Sequence, residues 1–143
     1  MSNYLQGIEI RPDSGGIIRN YPEVHIKLGI AKNKATSYKY KRIVRIIKHM
    51  KEDMKSAGIT VPKEISSFGI ESMLWNIDCG IYNKYSSYRF IVDEVIKELV
   101  RQKNQIDTFL EANGIKKLCD TTAKQEAYIR FINQLSDYYE YEI

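Results

Sequence analysis

Apolar positions along the middle of the chain recur every three or four residues, with polar residues filling the gaps. Tyr40, Ile43, Val44, Ile47, Met50 and Met54 form one such stripe, the pattern of an amphipathic helix packed along one side. That helix is predicted from Tyr38 to Lys55, with Ser37 as its N-cap and Gly58 as its stop. A second apolar set follows from Pro62 and Lys63 onward. Ile65, Phe68, Ile70, Met73, Leu74 and Ile77 spread around much of a helix, which predicts a central, buried one. A loop is expected from Cys79 and Gly80 to Ser87. Phe90, Ile91, Val95, Ile96, Leu99 and Val100 then mark a third long helix. Ile106, Phe109 and Leu110 mark a short one that Asn113 and Gly114 should end. Ala127, Tyr128, Phe131, Ile132, Leu135 and Tyr138 mark the last.

The pattern near the N-terminus is shorter. Ile8-Glu9-Ile10 alternates as a strand does, Arg11 to Gly16 reads as a turn, and Ile17-Ile18 reads as a second short strand. Asn20-Tyr21-Pro22-Glu23 looks like a helix start, with Pro22 in the first turn. This short helix should run to Leu28 and end at Gly29. No repeat or interdomain linker interrupts the series. The expected fold is mainly α: a compact bundle of about five helices with a small N-terminal β element, in a single domain over residues 1–143.

Length and composition suit that picture. With 143 residues, 43% of them hydrophobic and 28% charged, the chain is globular rather than disordered. No apolar run reaches the length of a membrane span. The first residues carry no basic region followed by an apolar stretch, so no secretory signal is expected. Cys79 and Cys119 are the two cysteines and are read as reduced thiols of a cytoplasmic protein. His25 and His49 are the two histidines. Neither has the spacing of a metal-ligand pair, so no metal site is read. Ser14-Gly15-Gly16 matches no phosphate-loop pattern. Trp75 reads as a core residue.

Charge adds one more feature. The net charge is only +4, but basic residues dominate from Lys32 to Lys55, against only Glu52 and Asp53. On the long helix Lys41, Arg45 and Lys48 are four and then three residues apart, which stacks them on one face. Like charges so placed repel, and an anion along the stripe would relieve the repulsion; a solvated helix face is the plain alternative. A triphosphate suits the stripe, lysine supplying a point charge and arginine a bidentate fork. Lys32, Lys34 and Lys39 would add to the field. Ser66 and Ser67 hydroxyls could donate to phosphate oxygens, and Phe68 could stack on a base. Equally, Ser66 could cap a helix and Phe68 could belong to the core.

The blocks Lys39-Tyr40-Lys41-Arg42-Ile43-Val44-Arg45-Ile46-Ile47-Lys48-His49-Met50 and Ser66-Ser67-Phe68-Gly69-Ile70-Glu71-Ser72 resemble the helical domain of template-independent nucleotidyltransferases. That group holds the oligoadenylate synthetases, cyclic GMP-AMP synthase and the bacterial CD-NTases of anti-phage signalling. Asn20 to His25, Lys32 to Thr36, Glu111 to Ile115 and Tyr138 to Tyr141 carry the same resemblance, which covers nearly the whole chain. It implies that Lys48 contacts a donor triphosphate, Ser67 binds phosphate and Phe68 stacks on the base, where relatives commonly have tyrosine. It also implies a Gly-Ser loop and three carboxylates holding two magnesium ions, all in a catalytic half upstream of the residues seen here. Glu9 alone could not hold two metals. The expectation is therefore a nucleotide-binding helical domain with no catalytic residue of its own. It would act with magnesium and a nucleoside triphosphate only when joined to a catalytic half. A non-enzymatic binder of nucleotide or RNA, acting as regulator or decoy, and a structural interaction domain remain the other readings.

Overall fold

The computed structural model describes residues 22–142. The two short strands expected before Pro22, and Glu9 within them, lie outside those residues. Six α-helices follow in order: α1 (Pro22–Ala35), α2 (Lys39–Ser56), α3 (Ser67–Trp75), α4 (Cys79–Tyr82), α5 (Tyr88–Gln102) and α6 (Thr122–Glu142). A 3-10 helix, Lys103–Thr108, continues from α5. The mainly helical fold expected from the apolar periodicity is what forms.

The core lies where α2, α3, α5 and α6 meet. Tyr40, Ile43, Ile47, Met73, Leu74, Leu99, Phe131 and Leu135 are all fully buried there. The apolar stripe of α2 faces inward as its spacing predicts. Gly58 ends this region with φ +88°, a left-handed turn that glycine takes without a Cβ penalty.

Several boundaries differ from those expected. Helix α1 does not stop at Gly29 but runs to Ala35. Glycine in a helix costs about 1 kcal/mol relative to alanine. Here tertiary anchors farther along outweigh that cost, among them Lys32 Nζ donating to Ile77 O at 2.6 Å. The cap of α2 is not Ser37 either. Ser37 and Tyr38 both take left-handed φ values of 55° and 67°. Instead the buried Thr36 accepts from the Tyr40 amide at 2.9 Å. Asn33 Oδ1 accepts from the Lys41 amide at 3.1 Å. The chain so reverses tightly between α1 and α2.

Asn113 and Gly114 do not end a helix. Leu110 and Lys117 pair as an isolated antiparallel bridge, and Gly114, at φ +70°, makes the turn between them. Asn113 Oδ1 accepts from the amides of Ile115 and Lys116 at 2.8 and 3.1 Å, so the Asn-Gly pair serves turn chemistry instead. A short helix, α4, also forms inside the expected loop. Asp78 caps it, accepting from the Gly80 amide at 2.8 Å. Cys79 and Cys119 are both free. No described helix is long and apolar enough to cross a membrane.

Candidate functional site

Helices α2 and α3 lie antiparallel. At one end the Tyr40 hydroxyl donates to Glu71 O at 2.7 Å. At the other, Lys51 Nζ donates to Ile65 O at 2.7 Å. Lys48 falls between these anchors, one turn before Lys51, and so lies level with the N-terminal turn of α3. Lys41 and Lys48 are half-buried, and Arg45 is exposed. Among the described residues none of the three makes an ion pair.

The N-terminal turn of α3 is built by Ser66. Its Oγ accepts from the Gly69 amide at 2.9 Å, so Ser66 is the helix cap, one of the two roles open to it from sequence. Ser67 follows as the first helical residue and is exposed. The first amides of any helix point outward without intrahelical partners and carry the positive end of its dipole. A lysine ammonium beside such a turn adds a full charge to it. Fixed amides, a hydroxyl and a cation of this kind suit a phosphate.

Phe68 is only half-buried. Its ring stands edge-to-face with His25, with centroids 4.8 Å apart and planes at 82°. His25 Nε2 donates to Glu71 Oε2 at 3.0 Å, the carboxylate being an acceptor only. Gly29 lies beside the same pair: a Cβ there would sit 3.6 Å from Glu71 Oε2 and 3.8 Å from Lys41 Nζ. His25, Gly29, Lys41, Phe68 and Glu71 thus share one surface between α1, α2 and α3. Sequence reading placed Lys41 and Phe68 among the candidates but missed His25 and Glu71. They are 46 residues apart, and no local spacing marks such a pair.

The three remaining basic candidates separate. Lys34 is exposed, and Lys39 Nζ donates to Tyr85 O at 3.1 Å. Lys32 is turned away from solvent toward the Ile77 carbonyl, so it does not add to an outward field. It leaves α1 one turn before the tight reversal, on the side facing the Tyr40 and Tyr82 rings.

Two concave regions adjoin this part of the fold. A cleft of about 100 Å³ lies beside the α3 cap, lined by Glu64, Ser66, Phe68, Glu111, Lys124 and Tyr128 among others. It is too small for a nucleotide. A groove of about 370 Å³, lined by Ile46, Met50, Tyr88 and Tyr139 among others, lies on the opposite flank of α2. Its lining is mostly apolar and aromatic, with Arg89 and Asp53 as its charged members. Among the described residues no three His, Cys, Asp or Glu side chains come together to hold a metal ion.

Comparison with known proteins shows the family. The family described as the cGAS/DncV-like nucleotidyltransferase C-terminal helical domain matches residues 27–140, and the chain belongs to that family. It is 36% identical over 140 residues to the cyclic GMP-AMP synthase CdnE03 of Staphylococcus schleiferi, covering 98% of this chain and 43% of that protein. It is 35% identical over 115 residues to a cyclic dipyrimidine nucleotide synthase, CdnE, of Legionella pneumophila, covering 80% of this chain and 38% of that protein. In fold it is similar to the Elizabethkingia meningoseptica CdnE cyclic dinucleotide synthase, solved with GTP and Apcpp. That match has a TM-score of 0.76 at 24% identity, over 85% of this chain and 45% of that one. The chain thus spans less than half the length of the relatives it matches.

Proposed function

We propose that this domain binds the triphosphate of a nucleoside triphosphate at the N-terminal turn of α3, with Lys48 as its principal cation. The register of α2 against α3 carries the reading, because it sets Lys48 level with the exposed Ser67 and the half-buried Phe68. Ser67 and the first α3 amides would take phosphate oxygens. Phe68 would offer a ring to the base, and Lys41 and Arg45 would extend the positive field. Nucleotide-bearing relatives of the same fold support the class of ligand. The domain would work in cyclic nucleotide synthesis beside a catalytic half that supplies the metal-binding carboxylates. Alone, with magnesium or manganese and mixed nucleotides, it should form no phosphodiester product.

Calorimetric titration of ATP and GTP into the full chain tests the binding step. Lys48→Ala should weaken binding by about 1.5–3 kcal/mol, the worth of a charge-assisted contact. Folding stability should change by no more than about 0.5 kcal/mol. Equal affinities would remove Lys48 from the site, and a large drop in melting temperature would make it structural. Absence of triphosphate binding by the wild-type chain would overturn the reading for this domain.

A further inference from the structure

Lys32 and Cys79 come from positions 47 residues apart and meet where α1 crosses the junction of α3 and α4. Lys32 Nζ donates to Ile77 O at 2.6 Å and lies 3.6 Å from Cys79 Sγ. The rings of Tyr40 and Tyr82, both buried, have centroids 5.9 and 5.4 Å from the same nitrogen. The amine is therefore held in place by a carbonyl and two aromatic rings, with a sulfur in contact. Burial lowers the Lys32 pKa, with Cys79 and Asp78 opposing, so more of this amine is neutral than on a surface lysine. A neutral lysine amine is a nucleophile.

The two thiols differ in access. Cys79 is half-exposed, whereas Cys119 is buried and burial pushes its pKa up to about 11. Oxidation follows thiolate character and exposure, so a small oxidant meets Cys79 first.

We propose that Lys32 and Cys79 are a peroxide-sensitive pair that closes into a covalent sulfur–nitrogen bridge. In the first step Cys79 Sγ attacks one oxygen of hydrogen peroxide. The O–O bond breaks, one water leaves, and the sulfur becomes a sulfenic acid, oxidised by two electrons. In the second step the Lys32 Nζ lone pair attacks Sγ. The S–O bond breaks, and its hydroxyl departs as a second water with a proton from the amine. Thiol, amine and one peroxide thus give a sulfenamide and two waters. Sulfenic acids condense with backbone nitrogen in this way, and the lysine amine here already touches the sulfur. A thiol reductant reverses the bridge by attack at sulfur. The bridge removes one positive charge. It also fastens α1, which carries His25 and Gly29, to the start of α4. Because it closes a long loop, it should restrict the unfolded chain and raise the melting temperature. The inference is independent of nucleotide binding.

The experiment treats the full chain, carrying Cys119→Ser to exclude an internal disulfide, with hydrogen peroxide. Intact mass should fall by two hydrogens, and peptide mapping should find Lys32 joined to Cys79. The melting temperature should rise, and dithiothreitol should restore the original mass. Cys79→Ser should abolish all of these changes. Lys32→Arg keeps a cation but not a nucleophilic amine, so a sulfenic-acid trap should then label Cys79 heavily. Sulfinic acid at Cys79 without a Lys32 link, or a disulfide joining two chains through Cys79, would overturn the proposal. So would equal trapping in the chains with and without Lys32→Arg. The mass map of the chain with Lys32 intact decides the matter even if Lys32→Arg fails to fold.

Discussion

At the scale of single residues, several side chains are fixed by neighbours distant in sequence. Gly69 shows this most sharply. It lies buried in α3, where alanine would ordinarily gain about 1 kcal/mol of helix propensity. A Cβ there would instead collide with the Tyr128 hydroxyl and sit 3.1 Å from Ser66 Oγ. Gly69→Ala is therefore expected to destabilise the fold by about 1–3 kcal/mol through overpacking. Adding Tyr128→Phe should recover part of that loss, since it removes the nearest atom; urea unfolding of both single variants and the double variant measures the coupling. A more stable Gly69→Ala variant would show that α6 yields at this point. The same crowding ties the α3 cap, beside the candidate phosphate site, to the packing of α6.

At the scale of elements, the end of α3 acts as a surrogate strand edge. Asn76 caps the helix and reaches across to residue 110. Its Nδ2 donates to Ser72 O at 2.8 Å and Leu110 O at 2.7 Å, while its Oδ1 accepts from the Leu110 amide at 2.9 Å. Ser72 Oγ accepts from the Ala112 amide at 2.9 Å. In the irregular segment between the 3-10 helix and α6, the Leu110 N–H and C=O and the Ala112 N–H thus find their partners in side chains of Ser72 in α3 and Asn76 at its C-cap. Asn76→Ala would strip partners from both Leu110 groups, which are part-buried, and should cost about 2 kcal/mol, given the penalty for unmade hydrogen bonds. Hydrogen exchange at the Leu110 amide should quicken in step. Unchanged protection there would show that the segment is held by its turn alone.

At the scale of the whole molecule, burial of titratable groups predicts how stability depends on pH. Tyr40, Tyr82 and Tyr128 are buried, and desolvation raises the pKa of each. Burial likewise pushes Cys119 up to about 11. A raised folded-state pKa means that the unfolded chain loses these protons first as pH rises. The stability that the buried neutral groups contribute is full below the unfolded pKa values, about 8.5 for cysteine and about 10 for tyrosine. It is then lost progressively above them. Thermal melts followed by circular dichroism should thus hold steady near neutral pH and fall on the alkaline side. Cys119→Ser should flatten the earliest part of that fall. A melting temperature that stays constant through the tyrosine range would mean that these rings open to solvent without unfolding.

The helical class, the inward face of α2, the apolar α3 and the basic stripe were all legible along the chain. Each is a local periodicity, and burial of one helix face writes itself into residues three and four apart. The family resemblance was legible for the same reason, in short blocks kept in order. The left-handed corner at Ser37 and Tyr38 was not, because the cap is supplied from Thr36 and Asn33 after the chain has reversed. Nor was the persistence of α1 through Gly29, since its anchors lie in α3 and beyond. Lys32 counted as one more positive charge in the sequence. Only packing turned it inward, onto a carbonyl, two tyrosine rings and a thiol. His25 with Glu71, and Lys48 level with the α3 turn, likewise depend on how separate helices are laid side by side. Local pattern determined which surfaces of each helix must be hidden. Tertiary structure decided which polar groups meet, because those meetings are set by register between elements and not by spacing within them.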